Sequence, residues 1–355
     1  MPANKSSTTE STPNWEALLP VRQSAPVVFA SPHSGKDYPP DFVASSPLDL
    51  LALRRSEDSF VDELFGAAPT HGMPLLKALF PRAYIDANRE PFELDPSMFE
   101  DELPSYANTR STRVAAGLGT VARVISTGRE IYGGKLRFSE AVERINNHYR
   151  PYHRALRDLL DATRRSFSCY LLIDCHSMPS VGGPQDPDAG KRRSDIVLGD
   201  CFGKSCGRIV IDTAEKTLTA AGFKVTRNDP FAGGFTTRHY GRPAQGLHAL
   251  QIEINRALYM DEAAIKPHRG LPELAGRLDV LITTLAGLGV AGEHDAAFVA
   301  VDPVGQGVQV RLDVLGGRAG HRPVLAARDM ARADVRDVQR RRHSGQVTAS
   351  ENVGV

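Results

Sequence analysis

The segment Ser168-Cys-Tyr-Leu-Leu-Ile-Asp174 is an almost continuous apolar run, and the polar segment Cys175-His-Ser177 follows it. The run lacks the alternation of polar and apolar residues that marks a strand with one solvated face, so it is typical of a strand covered on both faces. Comparable runs occur at residues 26–30, 194–199 and 248–254, and segments with helical periodicity lie between them. This order predicts an α/β fold in which helices cover both faces of a sheet.

One further strand and four helices are predicted from the same patterns. The strand is placed at residues 82–86, and the helices are placed at residues 48–65, 138–166, 202–221 and 272–288. Pro151 lies in the middle of the longest helical pattern, so we expect a kink or two joined helices there. Gly222 follows the third helical pattern, where a helix C-terminus tolerates a positive φ angle.

The charge and composition exclude several classes of protein. Of the 355 residues, 43 are Lys or Arg and 42 are Asp or Glu, which leaves a formal net charge of +1. This balance gives no long-range field for nucleic acid or an anionic membrane, and no apolar run approaches the roughly 20 residues of a membrane helix. Residues 1–14 lack the apolar core of a secretory signal, and four cysteines are too few for a disulfide framework. We therefore expect a cytoplasmic protein that binds neither nucleic acid nor membrane.

Composition divides the chain into three parts. Residues 1–14 are polar and are predicted to form a flexible arm, whereas residues 15–288 carry the α/β pattern and form the working domain. Residues 289–355 are rich in Gly, Ala, Val and Arg, and they include Arg340-Arg-Arg-His343. Because acidic residues are mixed through this part, we expect a basic, poorly ordered or accessory extension without catalytic residues. The patterns indicate no oligomeric state.

Two histidines come directly after predicted buried strands. His33 lies in Ser31-Pro-His-Ser-Gly35, after the strand at residues 26–30, and His176 follows the strand at residues 168–174. Since the active sites of open α/β sheets form at the carboxyl ends of strands, the two imidazoles are candidate metal ligands. A catalytic metal site of this kind needs a third protein ligand and one open position.

The third ligand is expected from the acidic segment Glu57-Asp-Ser-Phe-Val-Asp-Glu63. In a helix Asp58 and Asp62 lie on one face at i, i+4, so one carboxylate could bind metal while the other orients a ligand. The pattern leaves open which of the two carboxylates is the ligand.

Glu253 stands inside the apolar strand Leu250-Gln-Ile-Glu-Ile254. Burial of a carboxylate is costly unless the group is paired, binds metal or is protonated, so its position requires a reason. A buried glutamate with a raised pKa suits a general base that takes a proton from water and passes it to a leaving amine. The alternative is a structural ion pair with an arginine such as Arg256.

Seven polar segments follow one another along the working domain. They are Ser31-Pro-His-Ser-Gly35, Asp58 with Asp62, Asp86-Ala-Asn-Arg89, Tyr149-Arg-Pro-Tyr-His153, Asp174-Cys-His-Ser177, Gly233-Gly-Phe-Thr-Thr-Arg-His-Tyr-Gly241, and Leu250-Gln-Ile-Glu253 with Tyr259-Met260. As an ordered set, over about residues 27–262, they resemble the N-formylglutamate amidohydrolase (N-formylglutamate deformylase) family. The resemblance implies a phosphorylase/hydrolase-like, three-layer α/β/α fold with a central mixed sheet, related to zinc carboxypeptidases and aspartoacylase.

The resemblance also implies an activity, a cofactor and a ligand set. Family members hydrolyse N-formyl-L-glutamate to formate and L-glutamate in histidine degradation and are expected to use Zn²⁺, which would make residues 15–288 a zinc-dependent amidohydrolase domain. By the resemblance, His33, Asp58 and His176 are the metal ligands, and Glu253 is the catalytic carboxylate. The sequence departs from the carboxypeptidase relatives at the first site, where Lys36 stands three residues after His33 in place of a glutamate. Between the two carboxylates left open above, we prefer Asp58 to Asp62 as the metal ligand.

The implied substrate carries two carboxylates, which favours recognition by arginine side chains. Arg89 with Asn88 resembles the Asn-Arg pair that carboxypeptidase relatives use for a terminal carboxylate, and an arginine beside the metal can also stabilise the oxyanion. Arg238 follows the glycine pair Gly233-Gly234, which permits a tight loop close to a ligand. Further substrate-binding candidates are Thr127 and His153.

Two alternative functions use the same residues. A chain with a differently shaped pocket would deacylate another N-acyl amino acid or a small peptide-like amide. A chain whose metal site is structural or lost would be a non-enzymatic binding protein for small molecules.

Overall fold

Seven strands form the central sheet of the computed structural model, which describes residues 13–184, 186–290 and 298–300. The strands are β1 (Trp15–Leu18), β2 (Val27–Ser31), β3 (Leu75–Ala78), β4 (Tyr170–Met178), β5 (Ile196–Gly199), β6 (Val225–Arg227) and β7 (Leu247–Asn255). Their order across the sheet is β1-β3-β2-β4-β7-β5-β6, and β1 and β5 run antiparallel to β3 and β7. The other pairs are parallel. The prediction of a mixed α/β sheet is confirmed.

Strands β4 and β7 are neighbours in the middle of the sheet, and all nine residues of each are buried. Burial on both faces explains why neither strand shows polar alternation. Residues two apart on a strand face the same side, so Asp174 and His176 of β4 share a side with their register partners Gln251 and Glu253 of β7. The polar residues at the carboxyl ends of these strands are therefore gathered by the pleat of the sheet.

Helices cover both faces of the sheet. They are α1 (Pro40–Ser45), α2 (Leu50–Arg54), α3 (Val61–Leu64), α4 (Thr112–Ala115), α5 (Phe138–Arg144), α6 (Arg150–Phe167), α7 (Arg208–Ala220), α8 (Phe235–Tyr240) and α9 (Gly270–Ala286). One core packs α3, α7 and α9 against Phe29, Ile173 and Ile252, whereas the other packs α6 and α8 against Val28 and Leu172. Successive strand residues thus enter opposite cores, as a sheet between two helical layers requires.

The long helical pattern at residues 138–166 forms two joined helices, which is one of the two predicted outcomes. A π-helical turn at Ile145–Tyr149 joins α5 to α6. Pro151 is the second residue of α6, and because it has no N–H to donate to the preceding turn, the regular α-helical hydrogen bonding is interrupted there. The helix ends at Ser168, whose positive φ of 64° closes the last turn.

Two predicted elements are wrong. The single helix at residues 48–65 is interrupted between α2 and α3, because residues 55–60 form a turn that ends with a left-handed Phe60. Residues 82–86 form no strand; the backbone N–H groups of Tyr84 and Ile85 fold back to the carbonyl of Pro81. In both places polar side chains and turn-forming residues outweigh a short apolar pattern.

The other helix predictions differ at their ends. The helix predicted at 202–221 begins only at Arg208, because Cys201, Phe202 and Gly203 all have positive φ angles. Gly222 has a φ of 85°, as expected after the helix end. The helix predicted at 272–288 is α9. The short strands β1, β3 and β6 were not predicted, because three or four residues are too few to show a period.

Small antiparallel pairs join β8 (Met260–Asp261) to β9 (Lys266–Pro267) and β10 (Leu288–Val290) to β11 (Phe298–Ala300). The predicted arm at residues 1–14 and extension at residues 289–355 lie mostly outside the described residues. Within the described part of the chain, no helix has the length and apolar character needed to cross a membrane.

Candidate active site

A cavity of about 330 Å³ lies at the carboxyl ends of the parallel strands. His33, His176 and Glu253 line it together. Its walls also carry seven arginines, which are Arg54, Arg55, Arg82, Arg89, Arg113, Arg193 and Arg256. A cavity with so many guanidinium groups suits a ligand that carries negative charge.

Three buried side chains converge beside this cavity. One ligand atom from each of His33, Asp58 and His176 lies within 4.8 Å of the others. Asp58 Oδ2 is 3.3 Å from His33 Nδ1 and 3.0 Å from His176 Nδ1, so both imidazoles turn the same nitrogen toward one carboxylate oxygen. Two imidazole nitrogens and one carboxylate oxygen form a typical ligand set for a catalytic divalent metal.

Each of the three side chains is held from behind by a buried partner. His33 Nε2 is 2.7 Å from Asp86 Oδ1, and His176 Nε2 is 3.0 Å from Asp174 Oδ2. The second oxygen of Asp58, Oδ1, accepts a hydrogen bond of 2.9 Å from Arg256. Carboxylates on the outer nitrogens fix the ring orientation and increase the basicity of the inner nitrogens, as in known carboxylate–histidine–metal arrangements.

The electrostatics of the cluster favour a cation between the ligands. Burial opposes ionisation of Asp58, but hydrogen bonds from His176 and His33 outweigh it and hold its pKa well below the ordinary value. Burial likewise opposes the charge on His176, yet Asp174 and Asp58 raise its pKa well above the ordinary value. In the absence of a metal, protons on the two imidazoles provide the positive charge that faces Asp58. A divalent cation would replace those protons, so the three residues fit a metal.

The structure brings Asp58, and not Asp62, to the two histidines. The turn at residues 55–60 buries Asp58 completely, and its N–H donates to the carbonyl of His33 at 3.0 Å. Asp62 lies in the following helix and pairs with Lys77 at 3.5 Å. The two carboxylates therefore do not share a helix face, and the expectation based on an i, i+4 pair is wrong.

Glu253 faces the cavity from β7 and is 8% exposed. Its Oε1 accepts a hydrogen bond of 2.9 Å from Gln251, whereas Arg256 donates to Asp58. Burial raises the pKa of Glu253 to about 7; the positive charge of His176 opposes this shift and the Asp58 carboxylate adds to it. A carboxyl group with a pKa near neutrality can both accept and return a proton, as a general base requires.

Asn88 and Arg89 follow Asp86 at the wall of the cavity. Asn88 Nδ2 is 3.1 Å from His176 Nε2, and Asn88 Oδ1 accepts from the N–H of Thr236 at 2.8 Å. Arg89 Nε donates to the carbonyl of Leu118 at 2.9 Å, and its Nη2 is 3.7 Å from Asp86 Oδ2. Burial lowers the pKa of Arg89 to about 10, which leaves the group charged at neutral pH.

The remaining predicted site residues lie in different places. Thr127 lines the cavity. Arg238 is exposed on α8, donates to the carbonyl of Gly233 at 3.0 Å and does not line the cavity, so the structure does not bring it to the site. Gly233 and Gly234 do line the cavity, and Gly234 permits a close approach to Asn88, because a Cβ at Gly234 would lie 2.3 Å from Asn88 Nδ2.

His153 lies behind the cavity wall. Its Nε2 donates to the carbonyl of Ala87 at 2.8 Å, and its Nδ1 accepts from the hydroxyl of Tyr240 at 2.9 Å. One turn earlier, the hydroxyl of Tyr149 donates to the carbonyl of Arg89 at 2.7 Å. These bonds hold the backbone on both sides of Asn88, and His153 is not among the residues that line the cavity.

A neutral, buried His153 is expected to make stability depend on pH. Burial lowers its pKa from 6.5 to about 4, so its contribution is complete above pH 6.5 and is lost as the pH falls toward 4. Between pH 7 and pH 4, unfolding free energy should fall by about 3 kcal/mol more in the wild type than in His153→Gln. Urea unfolding at several pH values measures this difference, and equal pH slopes for the two proteins would contradict it.

Four residues of the site were given no site role from the sequence. Asp86 and Asp174 hold the outer nitrogens of the histidines, Arg256 holds Asp58, and Arg82 donates to Asp86 Oδ2 at 3.0 Å. Asp174 could have been found, because it lies two residues before His176 and shares its side of a strand. Asp86, Arg82 and Arg256 could not have been assigned to the site in this way, because their contacts depend on turns, which have no repeating sequence pattern.

The fold and the cavity define the class of protein. A mixed α/β sheet with two buried imidazoles, a carboxylate between them and a separate buried glutamate at its carboxyl edge is the arrangement of a hydrolytic enzyme. The profile of the N-formylglutamate amidohydrolase family matches residues 25–260. The chain belongs to this family, and it is an amidohydrolase that acts on an amide bond.

Individual relatives agree with this assignment. N-formylglutamate deformylase from Pseudomonas aeruginosa is 31% identical over 252 residues, which cover 70% of this chain and 87% of the relative. N-formylglutamate deformylase from Pseudomonas putida is 28% identical over 261 residues, or 73% of this chain and 90% of the relative. The crystal structure of N-formylglutamate amidohydrolase from Ralstonia eutropha JMP134 superposes with a TM-score of 0.71 at 34% identity, covering 78% of this chain and 98% of that one.

Proposed function

We propose that the protein hydrolyses N-formyl-L-glutamate to formate and L-glutamate with zinc bound by His33, Asp58 and His176. The observation that carries the proposal is the convergence of these three buried side chains beside a cavity that Glu253 also lines. The names of the relatives support the substrate. On this proposal the reaction is a step of histidine degradation, and the cytoplasm is the expected compartment.

The chain's own residues supply the proton transfers. Zinc, when bound, would contribute Lewis-acid chemistry by polarising the amide carbonyl and making water more acidic. Glu253 accepts one proton from the attacking water as the water oxygen bonds to the formyl carbon, and donates that proton to the amine nitrogen as the C–N bond breaks. The second water proton stays on the formic acid, which ionises to formate on release. The Gln251 amide donates to Glu253 Oε1 and keeps that carboxyl oriented.

Arginines and Asn88 orient the substrate. Arg89 binds the carboxylate on the carbon that bears the formamide, through two parallel hydrogen bonds, and Asn88 supports the same end. Arg82 lines the cavity beside Asp86, and its charge favours the negative charge that develops on the carbonyl oxygen. Thr127 offers a hydroxyl at the cavity wall.

The decisive experiment combines metal analysis with a formate-release assay on N-formyl-L-glutamate. We expect about one zinc per chain and one formate released per glutamate formed. Hydrolysis of N-acetyl- or N-succinyl-L-glutamate in preference to the formyl compound, measured as glutamate formed, would instead identify a different N-acyl deacylase. Absence of both metal and hydrolysis would identify a binding protein on this scaffold.

Removal of the metal should abolish turnover and lower stability together. A chelator leaves His33, Asp58 and His176 without their shared cation, and a ligand at 100 times its dissociation constant stabilises the native state by about 2.7 kcal/mol. The melting temperature should therefore fall with the loss of activity, and added zinc should restore both. Full activity after complete metal removal would contradict the proposal.

A further inference from the structure

Most of the arginines that line the cavity are already paired with carboxylates of the protein. The pairs are Arg54 with Glu57, Arg82 and Arg89 with Asp86, Arg193 with Asp186 and Asp188, and Arg256 with Asp58. Among the described residues, Arg55 and Arg113 have no carboxylate partner. Arg55 donates to the carbonyl of Ala263 at 3.5 Å, whereas the side chain of Arg113 has neither a hydrogen bond nor an ion pair within that part of the chain. Arg113 is thus the cavity guanidinium with all its donors available.

Arg113 is presented to the cavity by a fixed segment. It lies in α4, where Ser111 Oγ accepts from the N–H of Val114 at 3.0 Å and the Val114 side chain is buried. Three residues after the end of α4, the carbonyl of Leu118 accepts a hydrogen bond from Arg89 Nε. Arg89 and Arg113 are therefore held on one wall of the cavity by one short stretch of chain.

The two guanidinium groups repel each other in the absence of a ligand. Burial lowers the pKa of Arg89 to about 10; the Asp86 carboxylate opposes this change, and the positive charges of Arg82 and Arg113 add to it. An anion between or beside the two groups would relieve the repulsion, and a planar carboxylate matches the donor geometry of a guanidinium.

We infer that Arg113 binds the side-chain carboxylate of the substrate, whereas Arg89 binds the carboxylate next to the amide nitrogen. The inference rests on the proposed function. Arg89 is connected to the proposed metal ligands, because its partner Asp86 contacts His33. The side chain of Arg113 contacts neither Asp86 nor His33, so we place it further from the metal. In an N-acyl glutamate the first carboxylate shares a carbon with the amide nitrogen and the second is two methylene groups further away. The arginine more distant from the metal ligands therefore selects the acidic side chain.

The test compares N-formyl-L-glutamate with the neutral, isosteric N-formyl-L-glutamine in wild type and Arg113→Met. We expect KM for N-formyl-L-glutamate to increase about 10- to 100-fold in the variant, with kcat within about threefold, since a charge-assisted hydrogen bond to the side chain is lost. Kinetic constants for N-formyl-L-glutamine should change less than about threefold. Arg113→Lys, which keeps the charge but not the paired donors, should recover part of the preference for glutamate.

Two matched variants serve as controls. Arg110→Met removes an exposed arginine three residues away that does not line this cavity, and it should leave both substrates unaffected. Arg55→Met removes the other cavity arginine without a carboxylate partner and should preserve the preference for glutamate. A preference that survives in Arg113→Met, or that is lost in Arg55→Met instead, overturns the inference while the proposed function stands. A wild type that hydrolyses neither formyl compound overturns the proposed function and removes the basis of the inference.

Discussion

Turnover of N-formyl-L-glutamate should fall about 10³-fold when Glu253 is replaced by glutamine, while the metal content should stay at the wild-type level. Glutamine has the same shape and still accepts the hydrogen bond from Gln251, but it cannot take a proton from water. Because Glu253 is not among the three converging ligands, its substitution leaves the metal site intact. Steady-state formate release together with metal analysis of the same sample measures both quantities.

The pH profile provides a second readout for Glu253. Burial raises the pKa of Glu253 to about 7, and a nearby cation would lower it. In the metal-bound enzyme, kcat/KM should therefore fall as the pH decreases through a value below 7, because Glu253 becomes protonated. This acidic limb should be absent from the residual activity of Glu253→Gln.

A matched carboxylate shows whether these effects are specific to Glu253. Glu262 lines the same cavity, and its carboxylate accepts hydrogen bonds of 3.1 and 3.2 Å from the N–H of Ser180. Glu262→Gln should change turnover less than about tenfold and should keep the acidic limb. Near-normal turnover in Glu253→Gln would exclude Glu253 as the base.

The central part of the fold was predictable because burial determines its sequence. Strands β2, β4 and β7 are buried along their whole length, and helix α6 buries a regular stripe that includes Leu156 and Leu160. Elements at the edge of the sheet were missed, since β6 has only three half-buried residues. The turn at residues 55–60 could not be predicted from the sequence. It is stabilised by hydrogen bonds between side chains, such as that from Ser59 to Glu57, and such bonds produce no periodic pattern of apolar residues.

The residues of the candidate site were likewise predictable from the sequence only in part. His33, His176 and Glu253 were predictable because each stands at the end of a buried strand or within one, where a polar residue requires a reason. The glycine pair Gly233-Gly234 lines the cavity, but Arg238 does not, since it is exposed on α8 and donates back to the carbonyl of Gly233. Arg113 could not be found from sequence, because α4 has only four residues and its position depends on tertiary contacts.

Replacing His176 with alanine is expected to remove the metal and reduce formate release about 10³-fold without unfolding the chain. The substitution deletes one of three converging ligand atoms and leaves Asp174 without the imidazole it holds. Loss of a partner inside a buried charged network costs about 3 kcal/mol, whereas β4 keeps its pairing with β2 and β7. Circular dichroism and thermal melting check the fold, and metal analysis after dialysis gives the zinc content.

Two further variants separate loss of the ligand from a general effect of mutation. Asp58→Asn keeps the shape of the third ligand but removes its charge, so it should also lose zinc, while the amide oxygen of the new side chain can still accept from Arg256. His71→Ala removes a histidine that pairs with Asp279 at 2.7 Å and does not line the cavity, and it should retain both zinc and activity. Since the hydrolytic assignment requires both histidines to hold one ion, stoichiometric zinc in His176→Ala would show that the ion binds elsewhere, and the roles given to His33 and Asp58 would fail with it.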